Sequence, residues 1–250
     1  MKRICFLLTC TLLSSGTAFA QDGRSIYHIF PQFVDGQFSD GTYYRSSLMW
    51  SNVNSTVTTN GCVLNVRGVI TSVTSARFGS TVSIGAPVSF DAVRTAWDVL
   101  ASPGIGNLQV GFAGLACAQP VNAQVVYSFY TADGAKLSEA TALSSPPSQQ
   151  LQLLAEEQGG ARLGIAIAND NDAVAAVTIT VYNAQEAVIG GAQTAVAPRT
   201  QIARFLSEMV GNIPPEFVGR VSISSSQPVS AIGLKFTGGT FTTVPVFVRP

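Results

Sequence analysis

The sequence predicts an all-β protein of two related β-sandwich domains in tandem, each with one short crossover helix. Three observations predict it. Apolar residues make up 46% of the 250 and charged residues 11%, where ordinary soluble domains carry ~25% charge. Apolar side chains alternate with small or polar ones along several short runs, the period of a strand with one face in a core. Finally, matching segments recur in the same order in both halves, as expected when one structural unit is used twice.

The order of the chain supplies the detail. Lys2 and Arg3, the apolar run 4–13 and the small-x-small pattern Ala18-Phe19-Ala20 read as a signal peptide over residues 1–20. The expected destination is therefore the extracellular space, the cell surface or the periplasm. Removing that leader lowers the 14 cations to 12 against 14 anions. No Lys/Arg cluster remains to neutralise a phosphate backbone, which excludes nucleic acid as a partner. No later segment reaches the ~20 apolar residues of a spanning helix, so the chain is not expected to cross a membrane.

The repeat is carried by two anchors. RLGIAIANDN at 162–171 parallels RSSLMWSNVN at 45–54, an offset of 117; SSQPV at 225–229 parallels CAQPV at 117–121, an offset of 108. The units are then 24–147 and 150–250, with Ser144, Ser145, Pro146, Pro147 and Ser148 as a linker.

Within the second unit Leu163, Ile165 and Ile167 alternate with Gly164, Ala166 and Ala168, and Val177, Ile179 and Val181 with Thr178, Thr180 and Tyr182. Both runs read as half-buried strands. Asp133-Gly134, Gly190-Gly191 and Gly238-Gly239 read as turns. Ile202, Phe205, Leu206 and Met209 have the spacing of one helical face, with Gly211 to close it. Val93, Ala96, Trp97 and Leu100 are the counterpart in the first unit.

Cys62 and Cys117 survive loss of the leader, and an even count in an exported chain favours a disulfide. In the repeat, Cys62 falls where the second unit has Val177 and Cys117 where it has Ser225. Both thiols are thus expected on core faces of one domain. A bridge would close a 55-residue loop, worth ~4 kcal/mol in the chain-entropy description. The alternative is two buried free thiols.

Chemistry is sparse. His28, the only histidine, has no nucleophile motif around it and reads as a strand-edge or turn residue. Two cysteines and one histidine make no zinc quartet. Asn169-Asp170-Asn171-Asp172 gathers oxygens suited to calcium, but lacks the glycine and distal glutamate of an EF-hand loop, so a hairpin turn is expected. The run from Asp35 to Gly41 reads as a loop for the same reason. Glu156 and Glu157 point apart on an extended chain, and Glu208 and Glu216 have no evident carboxylate partner, so no glycosidase pair stands out. Trp50 and Trp97 fall in apolar phase and read as core. Tyr43 and Tyr44 remain as candidates to present a flat ring to a sugar. No catalytic residue, metal ligand or cofactor is predicted.

The stretch ARFLSEMVGNIPPEFVGRVSISSSQPVSAIGLKFTGGTFTTVPV, residues 203–246, resembles a module recurring in exported bacterial proteins. Its features are a short helix with a Leu-Ser-Glu end, a Gly-Arg strand start, an SxxPV turn and a closing hairpin. The resemblance covers most of 150–250 and more weakly 24–147. It implies a β-sandwich of immunoglobulin-like appearance, largely uncharacterised, and transfers no functional residue, since fold does not dictate function. The expected role is a non-catalytic secreted or cell-surface interaction or structural module, with an extracellular protein or an envelope component as partner. The alternative is a carbohydrate-binding protein using loop aromatics.

Overall fold

A computed structural model describes residues 24–53, 59–68, 72–75, 81–83, 87–91 and 97–249. The predicted signal peptide, and Val93 and Ala96 of the first predicted helix, lie outside the described residues. The chain is almost entirely antiparallel strand. The first half holds β1 (Arg24–Gln37), β2 (Tyr43–Asn52), β3 (Thr59–Arg67), β4 (Ser72–Ser75), β5 (Thr81–Ser83), β6 (Pro87–Asp91), β7 (Trp97–Ala101), β8 (Gln109–Tyr130) and β9 (Lys136–Leu143). The second holds β10 (Ser148–Glu156), β11 (Arg162–Asn169), β12 (Ala175–Asn183), β13 (Val188–Val196), β14 (Thr200–Phe205), α1 (Leu206–Met209), β15 (Val218–Thr237), β16 (Thr240–Val244) and β17 (Val246–Val248).

Two long strands organise these elements. β8 has 22 residues and β15 has 20, far more than the ~5–6 of an ordinary strand. Each serves two groups of partners. The first part of β8 pairs with β3 and β1, and its last part with β2 and β9. The first part of β15 pairs with β12 and β10, and its last part with β11 and β16. Between the two parts stand Gln119-Pro120 and Gln227-Pro228. Proline has no N–H to give a ladder and is tolerated where a strand bulges, and a strand that passes from one sheet to another needs such a bend.

The pairings made by β8 with β3, β1, β2 and β9 match those made by β15 with β12, β10, β11 and β16. Ser25 faces Val121 and Tyr27 faces Ala116; likewise Ser148 faces Val229 and Gln150 faces Ser224. In both places two residues' advance on one strand opposes five on the other. Leu48 faces Val125, and the residues 117 and 108 positions later, Ile165 and Gly233, face each other too. Cys62 faces Cys117, and Val177 faces Ser225. The cysteines are joined, with Cα atoms 4.1 Å apart and S–S 2.06 Å.

Both predicted helices are corrected. Trp97 and Leu100 lie in β7, paired with Ser51 and Leu48 of β2. In the second half only Leu206–Met209 is helical; Ile202 and Phe205 belong to β14, which pairs with Ile167 and Gly164 of β11. Four residues make one turn, too short to stand on helical bonds alone, while the edge of β11 offers a full ladder. Gly190-Gly191 is not a turn but lies inside β13. A Cβ on Gly190 would sit 2.7 Å from Val210 Cγ1, so the missing side chain lets the segment after α1 rest on this strand.

The alternation of β12 is as expected: Val177, Ile179 and Val181 are buried. That of β11 is not, because Ala166 and Ala168 are buried as well. Ile165 and Ile167 enter the core of the second half. Ala166 joins a cluster with Phe30, Leu48 and Trp50 of the first half, to which Ile232 and Phe241 also belong. Ala168 packs with Ile29 and Phe112. The halves thus share a core, and small side chains on β11 let the first half approach. The expected linker is held by both: Ser145 N–H donates to Ile29 O, while Ser230 Oγ and Ala231 N donate to Ser145 O and Oγ.

Candidate functional site

The two tyrosines singled out for sugar binding have different surroundings. They are neighbours on β2, so their rings leave opposite faces of the strand. Tyr44 is enclosed by aromatic rings. It stacks on Phe129 at 4.6 Å and meets Phe38 and Phe241 edge-on at 5.9 and 5.8 Å. Burial raises its phenol pKa. Tyr43 lies nearly parallel to Tyr130, with centroids 4.8 Å apart, and Lys136 Nζ stands 5.8 Å from the Tyr130 ring. The structure separates the two residues and gives Tyr43 a partner, Tyr130, that sequence reasoning missed. The signal was present in the alternation of β8, where Tyr130 is the cross-strand neighbour of Tyr43.

Asn169 to Asp172 form the loop between β11 and β12. Asn169 is fully buried, and its amide nitrogen donates to Ala173 O, Val196 O and Ala197 O at 2.8, 3.0 and 3.2 Å. Its Oδ1 accepts from the backbone and side-chain nitrogens of Asn171. The acids meet a fixed cation. Arg199 Nη1 reaches Asp170 Oδ1 at 2.7 Å and its Nε reaches Asp172 Oδ1 at 2.9 Å. Tyr27 of β1 donates its hydroxyl to Asp170. Burial, then the bond to Asp170, holds the Tyr27 phenol well above the usual range. Hydrogen bonding and charge from Arg199 hold Asp172 low. Where a calcium loop would direct its oxygens at a metal, these are directed at a guanidinium, and the cluster joins the halves.

His28 is not at a strand edge or in a turn. It lies within β1 and is 1% exposed. Nε2 is 3.1 Å from Ser25 O and 3.2 Å from Val121 O, while Nδ1 is 2.8 Å from Ser144 Oγ. Carbonyls only accept, so Nε2 carries the proton and Nδ1 accepts from the Ser144 hydroxyl. The ring therefore bolts β1 to the bend of β8 and to the segment between the halves. Burial, against those two carbonyl bonds, lowers its pKa. With the folded value below the unfolded ~6.5, the unfolded chain binds more protons in that window, so stability rises with pH. The contribution is complete above pH ~6.5 and is lost as pH falls through the folded value. Asp35 acts in the opposite sense. It is 2% exposed and accepts from Gly104 N at 2.7 Å, and burial, only partly offset by bonds to Ser102 and Gly104, raises its pKa. Denaturant unfolding from about pH 7.5 down to 5 should show a shallower loss in His28→Gln than in the natural chain. Equal slopes would remove His28 as the source.

The glutamates weighed as an acid pair have separate partners. Glu156 pairs with Lys235 at 2.9 Å, Glu157 Oε1 accepts from Leu163 N at 2.7 Å, Glu216 Oε2 accepts from Gly159 N at 2.9 Å and Glu208 Oε2 from Phe205 N at 3.0 Å. Asp40 closes the β1–β2 turn by accepting from Thr42. Among the described residues no group of three or more His, Cys, Asp or Glu side chains converges, and no helix is long and apolar enough to cross a membrane. Compared with known proteins, the chain matches no family model, no curated protein and no solved structure.

Proposed function

We propose that the chain is a non-catalytic, exported interaction or structural module made by tandem duplication of one β unit. The shared pairing scheme, down to the same register shift beside Gln119-Pro120 and Gln227-Pro228, supports the duplication, because register is not preserved by chance at several independent places. The disulfide is compatible with an oxidising compartment. The observation that carries the non-catalytic reading is where the interior polar groups go. His28, Asp35, Asn169, Ser145 and Ser230 each bond the backbone of a distant segment. A general acid or base needs instead to face a reacting group.

The outer face of β10, β15, β12 and β13 supplies the contact surface. Gln152, Ser222 and Thr180 form one uncharged row across three strands. Beside it runs Leu154, Arg220, Tyr182 and Val188, with Leu154 59% and Val188 63% exposed. Leu154 and Val188 end this row on either side of Arg220, which stacks on Tyr182 at 3.6 Å, and we read a face of that mixed character as the contact with another protein. Crosslinking of the natural chain on intact cells should recover an envelope protein, and Leu154→Asp with Val188→Asp should reduce that yield several-fold. Recovery of no envelope component, or undiminished recovery by the variant, would overturn the reading.

Carbohydrate binding is the second reading, on the Tyr43–Tyr130 pair rather than on Tyr44. Two parallel half-buried rings offer the apolar edge that sugar faces pack upon. Glycan-array binding that disappears in Tyr43→Ala would favour it, and a blank array would retire it.

A further inference from the structure

We propose that two copies of this chain join edge to edge through β13, so that the sheet of the second half runs on across a two-fold axis. β13 is the end strand of the run β13-β12-β15-β10-β17 and pairs with β12 alone. A strand in an antiparallel ladder turns alternate N–H and C=O groups to its partner and the others away. Among the described residues one hydrogen bond reaches the β13 backbone from outside the β12–β13 hairpin, that of Asn169 Nδ2 to Val196 O at the strand's end. An open row of this kind is a template for another strand unless it is guarded. The remaining edges of the second half are guarded. β17 has three residues and stands between Pro245 and Arg249-Pro250. β14 has six and carries Arg204. β16 faces β9, where Phe241 N donates to Ser138 Oγ and Thr243 Oγ1 to Thr141 O. In the first half β6 takes the place beside β3 that β13 takes beside β12; it has five residues, begins at Pro87 and ends at Asp91. β13 has nine residues, VIGGAQTAV, with neither a charge nor a proline.

A second copy is the occupant that this composition suits. About a two-fold axis normal to the sheet, the same patch lies on both sides of the contact, so a charge on the strand would be set against itself, and β13 has none. The side of the sandwich below β13 is also unclosed. Ala192 and Thr194 face inward opposite Ile179 and Val177, yet they are only half-buried while those two are 1% exposed. Ile202 and Met209, half-buried as well, lie across an opening of about 90 Å³ from them, and Arg204 and Glu208, of opposite sign, also border it. The axis keeps the inward faces of both sheets on one side, so the small side chains Ala192 and Thr194 of each copy come over the opening of the other. On the outward face Gly191, Gln193 and Ala195 are exposed and leave room for a neighbouring strand. Nine residues extend about 30 Å, a contact narrower than the ~1,200–2,000 Å² of stable interfaces, so the dimer forms reversibly with concentration. It places two copies of the outer face side by side.

The test is sedimentation velocity of the full mature chain from about 1 to 300 μM, where contacts of this size associate. The natural chain should pass from monomer toward dimer as concentration rises, and amide exchange over 188–196 should slow several-fold across the same range. Gln193→Asp combined with Ala195→Asp, both at exposed outward positions, sets like charges against each other across the axis. This variant should stay monomeric throughout, with unchanged circular dichroism. Phe247→Asp on β17 and Leu154→Asp on the outer face should leave the dimer intact, which keeps this contact distinct from the one proposed for the outer face. A natural chain that is monomeric at the highest concentration would overturn the proposal. So would a dimer that survives the double substitution, or one that Phe247→Asp or Leu154→Asp dissolves. Exchange at 188–196 that is independent of concentration in the natural chain would overturn it as well, whether or not the double variant folds.

Discussion

Cys62→Val combined with Cys117→Ser is expected to lower the unfolding free energy by about 4 kcal/mol while the native fold persists. The replacements are the residues that stand at the matching cross-strand pair of the second half, Val177 and Ser225. They suit the same sheet positions, so the loss measures the tether and little else. The bridge closes a loop of 55 residues, and removing it returns the conformational freedom of that loop to the unfolded chain. Urea unfolding should move to lower midpoint by about 1.3–4 M, given slopes near 1–3 kcal/mol per M. Dithiothreitol should produce a similar shift in the natural chain and none in the variant. Coincident curves for oxidised and reduced natural protein would show that the bridge does not constrain the unfolded state.

Asn169→Leu should cost about 3–5 kcal/mol, because the substitution fails in several bonds at once. The amide nitrogen serves three backbone carbonyls, and Oδ1 serves two nitrogens of Asn171. Leucine satisfies none of them, and each buried group left without a partner costs ~1–3 kcal/mol. Since Arg199 follows in the same loop system and holds Asp170, the damage should spread to the Tyr27 contact between the halves. Thermal unfolding should therefore drop, and Tyr27 should become more exposed to solvent by near-ultraviolet spectroscopy. A loss under about 1 kcal/mol would mean that water replaces the amide at little cost.

Much of the fold was legible because alternation is a local property. Val177, Ile179 and Val181 show their inward face in the order of residues alone. That Cys62 and Cys117 face one core was legible from their phase with Leu64 and Leu115, but that they stand opposite each other on β3 and β8 was not. The helices were misread for an equally physical reason. Ile202, Phe205, Leu206 and Met209 satisfy a helical spacing, but Ile202 and Phe205 also fit a strand, and the free edge of β11 decided between them. Gly190 resembled a turn because glycine marks turns, whereas its bareness serves the passage of Val210 across β13.

From the order of its residues alone, this protein reads as all-β, with its cysteines facing one core. Alternation and turn chemistry act over a few neighbouring residues, so they survive in one dimension. The three-dimensional structure alone decided that Ala166 and Ala168 are buried, that His28 bolts three segments, and that Arg199 meets both acids of its loop. Each joins residues far apart in the chain, from Tyr27 with Asp170 to Ser145 with Ala231. Contacts across such separations depend on how two sheets come to rest against each other, which no local pattern records.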